Sequence, residues 1–135
     1  MKADLVSGLL PVREDGRVLV LQRPTGTWEP PAGRLQRGEG FEEGAVRELY
    51  EETGVRAEVE EAWWARVEPW RGPEDTELYA GVGFLAPHPG GDVRIEGTAH
   101  DDYVWATERE WRSLPTWYTG QELDALWDAV RMLEA

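Results

Sequence analysis

The feature that most restricts this chain is an acidic helix, predicted over residues 40–53. Its pattern stops at Gly54, a residue typical of the position just after a helix. At about 100° per residue, Glu48, Glu51 and Glu52 lie in one sector, at the edge of the apolar side. That apolar side carries Phe41, Ala45 and Leu49. Because like charges three and four residues apart repel each other, and partial burial increases the cost, the sequence predicts a neutralising cation at this face.

Three residues around the helix support this interpretation. Glu39 could fold back from the preceding loop towards the same sector, and Arg47 could orient a carboxylate through a bidentate contact. Gly33 allows the chain to turn sharply before the helix. A hard divalent ion with oxygen ligands relieves the repulsion, with Mg²⁺ as the natural candidate and Mn²⁺ as a second. The alternative is that these carboxylates form a solvated acidic surface.

The charge balance argues against several classes of protein. Among 135 residues, 27 are Asp or Glu and 14 are Lys or Arg, so the formal net charge is -13. Nucleic-acid binders depend on Lys and Arg to release counterions, so no nucleic-acid partner is expected. With 41% hydrophobic residues, the chain is not a disordered acidic tail. Without cysteine, it can have no disulfide, thiolate nucleophile or Cys-ligated zinc.

Length and hydropathy predict one domain over residues 1–135. No apolar run approaches the roughly 18 residues of a membrane span, and the N-terminus lacks the features of a signal peptide. We therefore expect no membrane partner and a cytoplasmic location. The aromatic surplus can supply a homodimer interface, although four tryptophans are expected to pack in the core or on the sheet. These are Trp63, Trp64, Trp105 and Trp127.

Turn signals and periodicity predict an α+β fold. Asp15-Gly16 between two apolar runs is a strong hairpin signal, and residues 24–31 are predicted to form a loop. The predicted strands are residues 5–12, 17–23, 56–69, 76–86 and 103–106. Two helices are predicted in addition to 40–53. One begins after Thr107, a plausible N-cap with Glu110 three residues on, and the other covers residues 118–133. In this order, the mid-chain helix and the C-terminal helix can cover opposite faces of a mixed β-sheet, which gives an α/β/α sandwich.

Residues 33–55 resemble a complete Nudix box. The box reads Gly, five residues, Glu, seven residues, then Arg-Glu-apolar-any-Glu-Glu-any-Gly-apolar, and all nine specified positions match. The resemblance to the Nudix family implies a Mg²⁺-dependent hydrolase that cleaves a diphosphate linkage in a nucleoside diphosphate joined to another group. It also implies the Nudix fold, because the predicted element order is similar to that of the family.

Roles for the box residues follow from the same resemblance. Glu48, Glu51 and Glu52 would be metal ligands and catalytic residues, with Glu52 as the surest ligand. Glu39 would bind a further ion or assist through water. Arg47 would hold the cluster by salt bridges. In chemical terms, bound ions would neutralise phosphate charge and lower the pKa of an attacking water.

Two positions remain open for the catalytic base, because members of the Nudix family take it either from the box or from a loop before the last strand. Residues 97–105 resemble the pattern Glu-His-any-any-Tyr-any-Trp found in several subfamilies, with Ala99 at the Glu position. Glu96, Asp101 or Asp102 could substitute, and Asp102 is placed first because it lies on the approach to the strand. His100 is interpreted as a loop histidine that forms hydrogen bonds.

Substrate contacts are expected from the loop before the box and from nearby cations. Trp28 could stack on a nucleobase, and Arg23 and Arg34 could contact phosphates.

Three functions remain open from the sequence. The spacing of His100, Tyr103 and Trp105 resembles that of Nudix hydrolases of nucleoside polyphosphates, which implies a substrate of that class. Residues 31–33, Pro-Ala-Gly, resemble the ADP-ribose and sugar-nucleotide hydrolases of the family instead. A non-catalytic nucleotide-binding regulatory module is the alternative of another class, and the complete set of box carboxylates argues against it.

Overall fold

A mixed seven-stranded sheet runs through the centre of the fold. The computed structural model describes residues 1–95 and 99–134. Its strands are β1 (Lys2–Val12), β2 (Val18–Gln22), β3 (Trp28–Glu29), β4 (Ala32–Arg34), β5 (Glu61–Pro69), β6 (Thr76–Pro87) and β7 (Asp102–Ala106). Its α-helices are α1 (Phe41–Thr53), α2 (Glu108–Arg112) and α3 (Gly120–Glu134), and a short 3₁₀ turn covers Pro73–Asp75.

The strand order places β1 at the centre of the sheet. The order is β3-β2-β1-β6-β5, with β4 also paired to β1 and β7 also paired to β2. Strands β1 and β6 are parallel, and the other pairs are antiparallel. The predicted hairpin is confirmed, because Val12 pairs with Val18 across a turn that contains Gly16 at φ 82°.

Alternating side chains of the central strands form two separate cores. Leu9 and Leu10, adjacent in β1, are buried on opposite faces of the sheet. The core on the α1 side includes Leu9, Leu19, Leu21, Ala45, Leu49, Val55 and Phe84. The core on the α3 side includes Leu10, Val12, Val18, Val20, Leu85, Trp111, Leu126, Trp127 and Val130. The predicted α/β/α sandwich is therefore confirmed.

The predicted boundary of strand β5 was wrong at its N-terminal end. The expected strand over residues 56–69 begins only at Glu61. Residues Val55 and Ala57 are buried against the α1-side core, so their alternation reflects packing of an extended segment rather than regular strand pairing.

Two short strands lie where the sequence predicted a loop or nothing regular. Strand β3 falls within residues 24–31, and β4 directly precedes the acidic helix. Both strands are too short to show periodicity. They form because β2 pairs with β3 and because Gly8 and Ser7 of β1 pair with Ala32 and Gly33 of β4.

The boundaries of the helices follow from their caps. Helix α1 ends at Gly54, whose left-handed φ of 73° places its N–H 2.8 Å from the Tyr50 carbonyl oxygen. Thr107 and Glu110 form the predicted capping box at the start of α2. Among the described residues, no helix is both long and apolar enough to cross a membrane.

Removing the cap of α2 should destabilise the fold. Thr107→Ala removes the hydroxyl that accepts a hydrogen bond from the Glu110 N–H, and we expect the free energy of unfolding to fall by about 1 kcal/mol. Thr107→Ser retains the acceptor and is the matched control. Equal urea-unfolding midpoints for the two variants would show that the cap contributes nothing measurable.

Candidate active site at helix α1 and strand β4

The guanidinium of Arg47 connects helix α1 to the segment before it. Its Nε and Nη2 atoms donate to the two oxygens of Glu39 at 2.7 and 2.9 Å. Its Nη1 donates to Glu48 at 2.9 Å and to Glu51 at 3.0 Å, and Nη2 also donates to the Arg34 carbonyl oxygen at 3.0 Å. All five N–H donors of the side chain are therefore used.

The guanidinium group of Arg47 thereby brings together three predicted metal ligands, Glu39, Glu48 and Glu51. The Glu39 carboxylate also accepts a hydrogen bond from the Gln36 N–H at 2.9 Å. The contacts from Arg47 and Gln36 lower the pKa of Glu39 to about 2, so this carboxylate is ionised across the physiological range. The role of these residues as metal ligands stays a prediction.

Glu52 lies apart from Arg47 on the other side of the same sector. One of its oxygens accepts from the Ala32 N–H at 3.0 Å, and the other lies 3.2 Å from Nδ1 of His100. Its side chain is only 11% exposed. Burial, followed by the charge of Glu48, raises the pKa of Glu52 to about 8. Because burial and a neighbouring carboxylate both disfavour the ionised form of Glu52, a cation bound beside it would favour ionisation.

The chemistry of these donors fits a hard divalent cation. Glu39, Glu48, Glu51 and Glu52 offer only carboxylate oxygens, the ligand type that Mg²⁺ and Mn²⁺ prefer. Glu48 and Glu51 each use one oxygen for Arg47, so the other oxygen is open to a cation. Within the described part of the chain, however, no three His, Asp or Glu side chains already converge on a single ion position. Binding would therefore require side-chain rotations.

The carboxyl group of Glu48 lies close against Gly33 of strand β4. A Cβ atom at this position would overlap the carboxyl group of Glu48, so a larger residue would displace that carboxyl group from strand β4. Ala32, the preceding residue, binds Glu52 through its N–H. Both residues also line a cleft of about 650 Å³.

The cleft combines aromatic, cationic and small residues. Its lining is Val6, Arg23, Thr25, Thr27, Glu29, Pro30, Ala32, Gly33, Arg34, Arg66, Glu68, Trp70, Tyr79, Trp117 and Tyr118. Trp70 and Trp117 are the large apolar side chains that it leaves most exposed, at 43% and 48%. Planar rings and cations along one cleft suit a ligand with an aromatic ring and negative charge.

Trp70 is fixed at the rim by its neighbours. Its Nε1–H donates to the buried Asp4 carboxylate at 2.8 Å, and its ring lies edge-on to Tyr79 at 5.9 Å. Gly72 leaves the space that the indole occupies, because a Cβ atom there would overlap it. Trp117 is stacked on Tyr118 with ring centres 3.9 Å apart.

The arginines of the cleft differ in their exposure and in the carboxylates that they contact. Arg23 donates to Glu29 at 2.7 Å, yet its side chain is 53% exposed. The Arg34 guanidinium lies 3.6 Å from Asp4 and is 63% exposed. Arg66 forms an ion pair with Glu122 of α3. Arg23 and Arg34, which the sequence indicated, are therefore the cations that an incoming anion can reach most easily.

Other predicted contacts lie outside the cleft. Trp28 is half-buried and packs against the α3-side core, and it is not among the described residues that line the cleft. Asp102 is exposed and accepts a hydrogen bond from the Tyr103 N–H at 2.7 Å. Glu96 lies outside the described residues.

The sequence interpretation missed three residues of this region, because it assigned no role to Glu29, Trp70 or Trp117. His100 lies in a loop and forms a hydrogen bond, as expected, but its burial was not foreseen. Glu29 is buried because the unpredicted strand β3 turns it inward. Trp70 follows strand β5 and Trp117 lies in the loop after helix α2, and no sequence motif links the two residues. Their meeting in the cleft therefore depends on the tertiary fold.

Comparisons with known proteins identify the family. The NUDIX domain family model matches residues 2–130. A MutT-like protein of Streptomyces ambofaciens is 53% identical over 57 residues, which are 42% of this chain and 36% of that protein. The NAD-capped RNA hydrolase NudC of Photobacterium profundum is 29% identical over 105 residues, 76% of this chain and 37% of that protein. The solution structure of the E. coli ORF135 protein superposes with a TM-score of 0.78 at 27% identity, covering 98% of this chain and 94% of that one.

Fold and site together define an α/β/α sandwich that presents a glutamate-rich helix beside an aromatic cleft. Within that class, the chain belongs to the Nudix family, which confirms the resemblance of residues 33–55. Members of this family generally use divalent metal ions. The chain spans just over a third of the length of each of these two relatives, the MutT-like protein and NudC.

The raised pKa of Glu52 gives a stability prediction for the metal-free protein. An unfolded chain ionises this carboxyl above its ordinary pKa of 4.5, whereas the folded protein keeps the proton until about pH 8. The contribution of this group to stability is therefore present at low pH and is lost as the pH rises from about 5 to 8. Glu52→Gln should become more stable relative to the wild type over that range, by about 1 kcal/mol or more.

Urea unfolding in excess chelator at pH 5 and pH 8 measures this difference. Glu43→Gln, which changes an exposed carboxylate of the same helix, should track the wild type at both pH values. An equal difference between Glu52→Gln and the wild type at both pH values would contradict the assignment.

Proposed function

We propose that this protein hydrolyses a diphosphate linkage in a nucleoside polyphosphate or a nucleoside diphosphate derivative, with Mg²⁺ or Mn²⁺ as cofactor. The observation that carries the proposal is the position of strand β4. The residues Ala32 and Gly33 contact Glu52 and Glu48 and also line the cleft. A phosphate chain extending from the cleft would thus meet the carboxylates across a single strand.

The carboxylates of α1 are assigned to the cation and the arginines of the cleft to the substrate. Glu48, Glu51 and Glu52 would hold a divalent ion, with Glu39 assisting directly or through water. The bound ion supplies phosphate neutralisation and an activated water. Arg47 holds Glu39, Glu48 and Glu51 near one another, and from there Glu48 and Glu51 would rotate towards Glu52 to share the ion.

The cleft is assigned to the rest of the substrate. Arg23 and Arg34, exposed over more than half of their side chains, would contact phosphate oxygens. Trp70 and Tyr79 would provide the face on which a nucleobase stacks. The net charge of -13 opposes bare polyanions, so substrates should approach productively as metal complexes.

The name of the NudC relative suggests a wider range of substrates. That protein is an NAD-capped RNA hydrolase by name, and a dinucleotide cap contains a diphosphate of the kind proposed here. The surplus of acidic residues disfavours a long RNA, so we place nucleoside polyphosphates first. ADP-ribose and sugar nucleotides follow, and NAD caps come after them.

A substrate panel tests the proposal directly. We expect phosphate or nucleotide products from at least one of the (d)NTPs, dinucleoside polyphosphates, ADP-ribose, sugar nucleotides and NAD, only with Mg²⁺ or Mn²⁺. Glu52→Gln should lower kcat by about 100-fold or more, because its carboxylate is assigned to the catalytic cation. Glu43→Gln on the exposed face is the matched control and should retain the wild-type rate.

Complete inactivity across this panel, with nucleotide binding intact, would favour the regulatory-module alternative. Full turnover by Glu52→Gln, or in excess chelator, would remove the assignment of the site.

A pair of tryptophan variants locates the base-stacking surface. On the best nucleotide substrate, Trp70→Leu should raise KM about five- to tenfold, the value of a partly exposed stacking contact. Trp28→Leu should lower the melting temperature, because Trp28 packs against the core, and leave KM unchanged. The opposite result would return the stacking role to Trp28.

A further inference from the structure

A buried histidine lies between two carboxylates beside the cleft. His100 is 5% exposed, and its Nε2 atom lies 3.1 Å from an oxygen of Glu29. Its Nδ1 atom lies 3.2 Å from an oxygen of Glu52. The Nε2 contact is a hydrogen bond, and the Nδ1 approach brings the ring within ion-pair distance of Glu52. The ring therefore lies between two carboxyl groups, with one nitrogen facing each of them.

Glu29 is itself held from two sides. Its other oxygen accepts from Arg23 at 2.7 Å, and its side chain is 8% exposed. Burial alone would raise the pKa of Glu29, but the hydrogen bonds with His100 and Arg23 hold that pKa below its usual range. Glu29 therefore remains an ionised anchor for the ring.

This arrangement is a poor device for stability alone. The free energy needed to remove charged and polar groups from water often exceeds the free energy gained from their mutual attraction. Well-packed apolar side chains of similar volume often stabilise a core at least as well. The fold nevertheless places three polar side chains, Glu29, His100 and Glu52, in one buried row. A role in orienting one of them explains that placement.

We infer that His100 is a positioning residue for Glu52, held in turn by Glu29. The Ala32 N–H donates to one oxygen of Glu52 and Nδ1 of His100 lies 3.2 Å from the other, so backbone and imidazole flank the carboxyl group on both sides. The inference rests on the proposed function, because it assigns Glu52 to the divalent ion. Partners of metal ligands typically change metal affinity or activity by about 10- to 100-fold when they are removed.

Two substitutions of His100 separate its two contacts. The amide nitrogen of His100→Asn takes the place of Nδ1 and retains a polar contact with Glu52. That of His100→Gln takes the place of Nε2 and can donate only to Glu29. His100→Asn should keep kcat within about threefold of the wild type, whereas His100→Gln should lower kcat by about tenfold or more with little change in KM.

Mn²⁺ binding, followed by electron paramagnetic resonance without substrate, gives a readout independent of turnover. His100→Gln should weaken the Kd for Mn²⁺ by about tenfold relative to His100→Asn, at equal melting temperatures. Equal Kd and kcat values for the two variants would overturn the inference. A wild type that binds Mn²⁺ but hydrolyses no panel substrate would contradict the proposed function instead.

A measurement on the wild type covers the outcome that neither variant folds. The chain has two histidines, so ¹⁵N spectra of labelled histidine contain His100 and the control His88. Addition of Mg²⁺ should shift the Nδ1 signal of His100 and leave His88 unchanged. An unmoved His100 signal at saturating Mg²⁺ would contradict a link between His100 and the cation through Glu52.

Discussion

The contact between Arg47 and three carboxylates is the interaction on which the rest of the site depends. Without it, Glu39, Glu48 and Glu51 would repel one another across a partly buried surface, and the segment before α1 would lose its attachment to the helix. The five N–H donors reach Glu39, two residues of α1 and the Arg34 carbonyl oxygen. One side chain thus fixes the carboxylates relative to the end of β4, which adjoins the cleft.

Strand β4 turns that local arrangement into a site with two faces. Gly33 permits the approach of Glu48, and the N–H of Ala32 orients Glu52, while both residues line the aromatic cleft. The carboxylates proposed to bind the cation and the cleft proposed to bind an aromatic ring are therefore separated by the thickness of one strand. Asp4, at the start of β1, holds Trp70 at the rim, so the central strand also supports the proposed base-stacking face.

Much of the fold could be predicted because its signals are local. Asp15-Gly16, Gly54 and the Thr107 cap each encode a turn or helix end within a few residues, and the structure confirms them. Strands β3 and β4 could not be predicted, since two- and three-residue strands exist only through pairing with distant chain segments. For the same reason, the burial of Glu29 and His100 and the meeting of Trp70 with the cleft required the tertiary fold, whereas the spacing of the box glutamates is carried by one helix.

Anomalous diffraction from crystals grown with Mn²⁺ and a non-hydrolysable nucleotide tests the central claim most directly. The account predicts a Mn²⁺ peak within about 2.5 Å of a Glu52 oxygen, shared with Glu48 or Glu51, and a nucleotide whose phosphates cross β4 while its base lies against Trp70. A peak elsewhere on the protein, with the α1 carboxylates still engaged only by Arg47, Ala32 and His100, would contradict the account.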